Sequence, residues 1–141
     1  MALTQKTAHA CIQRGFAKAQ TLGFKVAIAV VDDAGHLVAC ERMDGALWVT
    51  PEVARAKANA AAAFRTTTLD LEERFNKGRQ LFASNVATLG DYAFVFGRGA
   101  VPIVEGGQVV GAVGVSGAVP ADNDHTIADA AAGHPELPRS Q

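Results

Sequence analysis

The stretch from Val26 to Val31 reads Val-Ala-Ile-Ala-Val-Val, apolar at every position, and it restricts the architecture more than any other part of the chain. A strand with one wet face alternates apolar and polar side chains. A strand without alternation is central and buried on both sides, or buried on one side by a helix and on the other by a neighbouring subunit. Asp32-Asp33-Ala34-Gly35 supplies turn chemistry directly after it. Leu37 to Arg42 then returns as the second strand of a hairpin.

The chain before this hairpin has helical period. Ala8, Cys11, Ile12, Gly15, Phe16, Ala19 and Leu22 recur at spacings of three and four. Thr4 is placed to cap the helix and Gly23 to end it. After the hairpin, Thr50-Pro51-Glu52 predicts a helix start, with the threonine as cap, and the helix runs from Val53 to Phe64 on small side chains. Lys57 shares the stripe of Val53, Ala60, Ala61 and Phe64. A lysine on an apolar stripe needs an explanation. Thr66-Thr67-Thr68 breaks the helix. A shorter helix follows through Leu69, Leu71, Glu72 and Phe75 to about Gly78, then a turn at Leu81 and Phe82.

The C-terminal half returns to period two. Ala93 to Gly97 and Val101 to Glu105 read as strands, and Gly106-Gly107 turns the chain into a last strand, Gln108 to Ser116. Pro102 lacks a ladder donor, so its strand lies at an edge or places the proline where no bond is required. Gly111, Gly114 and Gly117 open this region to close approach by a helix, a ligand or another backbone. Asp122 to Ala132 predicts a last helix, and residues 133 to 141 a flexible tail. Five strands joined in this order with helices between them predict an α/β chain of the α+β kind: one domain over residues 1–141, with a five-stranded antiparallel sheet and flanking helices.

Charge excludes some functions. Thirteen Lys and Arg face fourteen Asp and Glu, with no basic block, so a general nucleic-acid surface is not expected. The 49% of hydrophobic residues against 19% charged points to a surface covered in a homo-oligomer. No apolar run is long enough to cross a bilayer, and no basic segment with an apolar core opens the chain, so no membrane partner and a cytoplasmic location are expected. Cys11 and Cys40 read as buried free thiols. His9, His36, His125 and His134 lack the close spacing of a zinc centre, so no metal site is expected. Val115-Ser116-Gly117 is not a nucleophile elbow, because Ala118 stands where the second glycine belongs. Asp32, Arg42, Asp44 and Lys57 form the better polar set. They read either as a network that positions backbone or as a pocket that recognises a carboxylate, with Arg42 as clamp and Lys57 as anion partner or general base.

Three segments, Val30-Val31-Asp32-Asp33-Ala34-Gly35-His36-Leu37, Arg42-Met43-Asp44-Gly45-Ala46 and Pro102 through Gly117, occur in an order that closely resembles the GlcG/HbpS-like family, also called the haem-degrading domain family and related to the PduO C-terminal domain. The resemblance runs from Leu3 to about Ala131. It implies a profilin-like domain forming symmetric oligomers, some relatives binding haem and others belonging to catabolism of small organic acids or diols. By position, Asp32, Arg42, Asp44, Lys57, Pro102 and Gly114 match recurrent family features and become ligand-binding candidates. Haem needs one axial group beside an apolar surface, which makes His9, His36 and His125 the axial candidates. The chain departs from the family at Ala118-Val119-Pro120-Ala121-Asp122-Asn123-Asp124-His125, where relatives commonly have a second glycine and a Gln-Asp pair.

Three functions follow as alternatives. The first is an accessory small-molecule or haem-binding protein, with haem the only cofactor. The second is a cofactor-free isomerase, hydratase or lyase for a small oxo or hydroxy compound, in which Lys57 or Asp44 moves the proton and Arg42 holds the anion. The third is a structural or regulatory oligomer.

Overall fold

The structure is a computed structural model and describes residues 2–133. The tail from 134 to 141 lies outside the described residues. Nine elements follow in order: α1 (Gln5–Leu22), β1 (Ala27–Asp32), β2 (Leu37–Arg42), α2 (Thr50–Phe64), α3 (Thr68–Asn76), α4 (Gln80–Val86), β3 (Ala100–Glu105), β4 (Gln108–Ser116) and α5 (Asp122–Ala132).

Local chemistry sets most of these boundaries. The Thr4 side chain accepts from the Thr7 N–H at 3.1 Å, and Gly23, left-handed at φ 84°, closes α1 by donating to the Ala19 and Gln20 carbonyls. At α2 the start differs from expectation. Thr50 is the first helical residue, not the cap, and its hydroxyl turns back to donate to the Leu47 carbonyl at 2.7 Å.

The described sheet has four antiparallel strands in the order β2-β1-β4-β3, which corrects the expected five. The segment 93–97 has the alternation of a strand but joins no ladder. The Val95 N–H donates to the Ala56 carbonyl on α2, while Phe94 and Phe96 pack against Phe64. Aromatic side chains spaced by two can satisfy a helix surface as well as a sheet face. Here the helix surface wins.

Helices cover both faces, which explains why β1 is apolar throughout. Ile28, Val30, Val113 and Val115 pack with Cys11, Ile12 and Ile127 of α1 and α5. Val31 and Ala112 pack with Ala58, Ala61 and Ala62 of α2. Pro102 is buried in β3 opposite Ala112, on a strand that ends the sheet. The alanine surface of α2 comes so close to β4 that a Cβ on Gly114 would collide with the Ala54 carbonyl oxygen and lie 2.9 Å from the Ala58 nitrogen. Gly114 is therefore a packing residue for α2.

Both thiols are free, Cys11 fully buried and Cys40 half-buried. Burial pushes both thiols above their ordinary value, more than the opposing Arg14 or Arg55 lowers them. The thiolate is the reactive form, so a disulfide reagent at mildly alkaline pH is expected to modify Cys40 slowly and Cys11 only on unfolding. Mass spectrometry of the timed adducts would check this, and fast labelling of Cys11 in the folded protein would contradict the packing of α1.

Candidate functional site

Lys57 projects from α2 into the interior, 5% exposed. Its Nζ donates to the Val115 carbonyl and to Asp124 Oδ2, both at 3.1 Å. Asp124 is 4% exposed, and its other oxygen accepts the Ala118 N–H at 2.9 Å. Gly99 lies so close that a Cβ there would come within 2.8 Å of Nζ and 2.9 Å of the Asp124 Cβ. The pair thus ties α2 to the end of β4 and to the first turn of α5. Burial pushes the Asp124 carboxyl above the usual carboxylate range, against the opposing influence of Lys57 and of the Ala118 N–H.

A second charged group borders the first. Glu72 on α3 accepts the Arg98 backbone N–H through Oε1 at 2.9 Å, and Arg98 Nε and Nη2 through Oε2 at 3.1 and 2.9 Å. The remaining guanidinium nitrogen, Nη1, donates to Asp122 at the start of α5. Hydrogen bonds to Asp122 and then Glu72 hold Arg98 more firmly protonated than an ordinary arginine.

Beside this network opens a cleft of about 330 Å³. Glu72, Phe75 and Asn76 of α3 form one wall, Gln80, Ala83 and Ser84 of α4 another, and Phe96 with Gly97 a third. The Phe75 and Phe96 rings meet at 4.9 Å and 72° in its lining. Behind them Phe64 makes edge contacts with Phe75, Phe82, Phe94 and Phe96 at 5.9 to 6.5 Å, and Tyr92 stacks on Phe94 at 6.1 Å.

The four polar residues singled out in sequence do not converge. Asp32 holds the β1–β2 turn, its Oδ1 accepting the Ala34 and His36 N–H groups at 2.9 Å each. Arg42 ends β2 at the far end of that hairpin, opposite Ala27, and is exposed, as is Asp44 beyond it. Lys57 lies inside with Asp124. His9 is exposed on α1, and His36 is exposed at the turn, 3.5 Å from Asp32. His125 is buried on α5, with Nε2 3.2 Å from Asp129 Oδ2 and Nδ1 without a partner among the described residues. None of these residues lines the cleft. Sequence reasoning missed Asp124, the Glu72–Arg98–Asp122 bridge and the aromatic cleft. The unexplained charge of Lys57 on an apolar stripe was the one available signal.

Fold and site together define a helix-covered antiparallel α+β protein with an open aromatic cleft and a buried ion pair beside it. The chain belongs to the HbpS-like family, whose model, described as haem degrading protein HbpS-like, matches residues 3–133. It is 41% identical to protein GlcG of Escherichia coli K12 over 116 residues, 81% of each chain. A double mutant of HbpS from Streptomyces reticuli superposes with a TM-score of 0.83 at 28% identity, covering 94% of this chain and 86% of that one. A PduOC–haem complex superposes at 0.82, also 28% identical, over 95% of each chain. No helix among the described residues is long and apolar enough to cross a membrane.

Proposed function

We propose that the chain is an accessory small-molecule-binding protein whose ligand rests on the aromatic floor of the cleft. The carrying observation is the cleft itself: about 330 Å³ with Phe75 and Phe96 in its lining and polar side chains around them. That volume lies at the lower end of the roughly 300–1,000 Å³ typical of ligand pockets, as does the pattern of an apolar floor with a few polar groups. Proton transfer by Lys57 and Asp44 has less support. Lys57 is a donor in both of its contacts, and Asp44 is exposed beyond the end of β2.

Haem, named in the family description and in the PduOC complex, is the first compound to test. An iron-coordinating haem site needs an axial group beside an apolar face. The cleft offers the apolar face, but no histidine, cysteine or methionine lines it. The described residues of one chain therefore do not fit an axially ligated haem in the cleft.

Titration with haem and with a panel of aromatic and carboxylated metabolites, followed by visible absorption and native mass spectrometry, checks the reading. A saturable complex that weakens at least tenfold in Ala83→Trp, which fills the cleft, is expected. Absence of any saturable ligand, or binding unchanged by that substitution, would overturn it.

A further inference from the structure

Given the cleft as the ligand site, as proposed above, we infer that it takes a small uncharged ring carrying a hydrogen-bonding group, of the size of a phenol or an aromatic amide. Three properties of the lining lead there. The Phe75 and Phe96 rings meet edge to face at 4.9 Å, a geometry that a third ring can extend by lying on the face of one and against the edge of the other.

The charge of the cleft is already spent. Glu72 is the one ionisable side chain among the lining residues, and Arg98 occupies both of its oxygens with three N–H groups. A ligand cation would meet a carboxylate whose charge Arg98 already neutralises, and a ligand carboxylate would lie against Glu72 with no unpaired cation in the lining. The carboxylate is desolvated without a compensating partner, and the cation shares its partner with Arg98. A neutral ligand avoids both penalties.

Uncharged hydrogen-bonding capacity is still available. Among the described residues the Asn76 amide and the Ser84 hydroxyl have no side-chain hydrogen bond, and Gln80 uses only Nε2, donating to the Asn76 carbonyl at 3.2 Å. Donors and acceptors thus face a ring from α3 and α4. The second of these helices buries none of its residues fully and is held to the aromatic cluster through Phe82, against Phe64 and Phe75, and through Ala83, which leaves the exposed Gln80 and Ser84 side chains free to turn toward a ligand.

Amide-resolved NMR titration with four probes tests this: phenol and benzamide as neutral rings, benzoate and benzylammonium as their charged counterparts. Phenol or benzamide is expected to shift the Ala83, Ser84 and Gly97 resonances saturably, with both charged probes at least tenfold weaker. Ala83→Trp is expected to abolish those shifts, and Ser84→Trp, at an exposed position, repeats the block where Ala83→Trp fails to fold. Charged probes binding as tightly as neutral ones, no saturable shift with either neutral probe, or shifts unaltered in the folded tryptophan variants would each overturn the inference. If haem or a larger metabolite binds and is blocked by tryptophan while phenol and benzamide are inert, the cleft stands and the neutral-ring assignment falls. If nothing that binds senses the tryptophan, both fall.

Discussion

Replacing Lys57 with methionine is expected to remove about 3–5 kcal/mol of folding stability at neutral pH, the usual consequence of leaving one member of a buried ion pair alone. Lys57 and Asp124 are both at or below 5% exposure and 3.1 Å apart, so solvent neither screens the pair nor replaces the lost partner. In the variant Asp124 keeps only the Ala118 N–H. Its carboxyl, already raised by burial against the influence of Lys57, is then expected to rise further.

That gives the effect a definite pH dependence. A folded carboxyl raised above its unfolded value binds its proton more tightly than the unfolded chain does. Its contribution to stability is complete below the unfolded value and is lost as pH rises through the folded one. The difference between Lys57→Met and wild type should be widest near neutrality and narrow in acid. Urea unfolding at both pH values measures it, and a gap that is constant or grows in acid would contradict the buried pair. The double variant Lys57→Met/Asp124→Leu removes both charges and is expected to recover about 2 kcal/mol of the loss. About 1–3 kcal/mol should remain, because the Ala118 N–H is left without its acceptor.

The second large effect is expected at Gly114. A methyl group there meets the Ala54 carbonyl and the Ala58 nitrogen, which are backbone atoms of a helix and cannot rotate away. Overpacking commonly costs about 1–3 kcal/mol and sometimes more, and Gly114→Ala belongs at or above the top of that range. Gly107→Ala is the matched comparison. Nothing lies within 4 Å of its Cβ position, and only its φ of +78° is unfavourable, a penalty of about 1–2 kcal/mol. Urea unfolding of the two variants should therefore differ clearly. Equal losses would mean that α2 does not rest directly on β4.

How much of this was legible in the chain depends on the range of the interaction concerned. Thr4 and Gly23 mark the ends of α1 because capping joins residues a few positions apart. Gly106-Gly107 marks the β3–β4 turn for the same reason, and the unbroken apolar run of β1 requires cover on both faces. Gly114 was legible as a point of close approach, though helix, ligand and backbone fitted its missing side chain equally well. The α2 helix occupies that space.

Where the pattern was ambiguous, tertiary packing decided. Period two in residues 93–97 fits a strand, but Phe94 and Phe96 find their apolar surroundings on Phe64 and the Val95 N–H finds its acceptor on α2. Asp32, Arg42, Asp44 and Lys57 are close enough in sequence to look like one set, yet the length of the hairpin separates Asp32 from Arg42 and Lys57 is buried on α2 against the end of β4. Its partner Asp124 is 67 residues further on, and Glu72 and Arg98 are 26 apart. By itself the sequence determined the secondary elements set by capping and turns, the burial of β1 and the family. Only the tertiary structure decided the strand count, the partner of Lys57 and the position of the cleft, because those depend on which distant surfaces pack together, and local backbone preference carries no information about that choice.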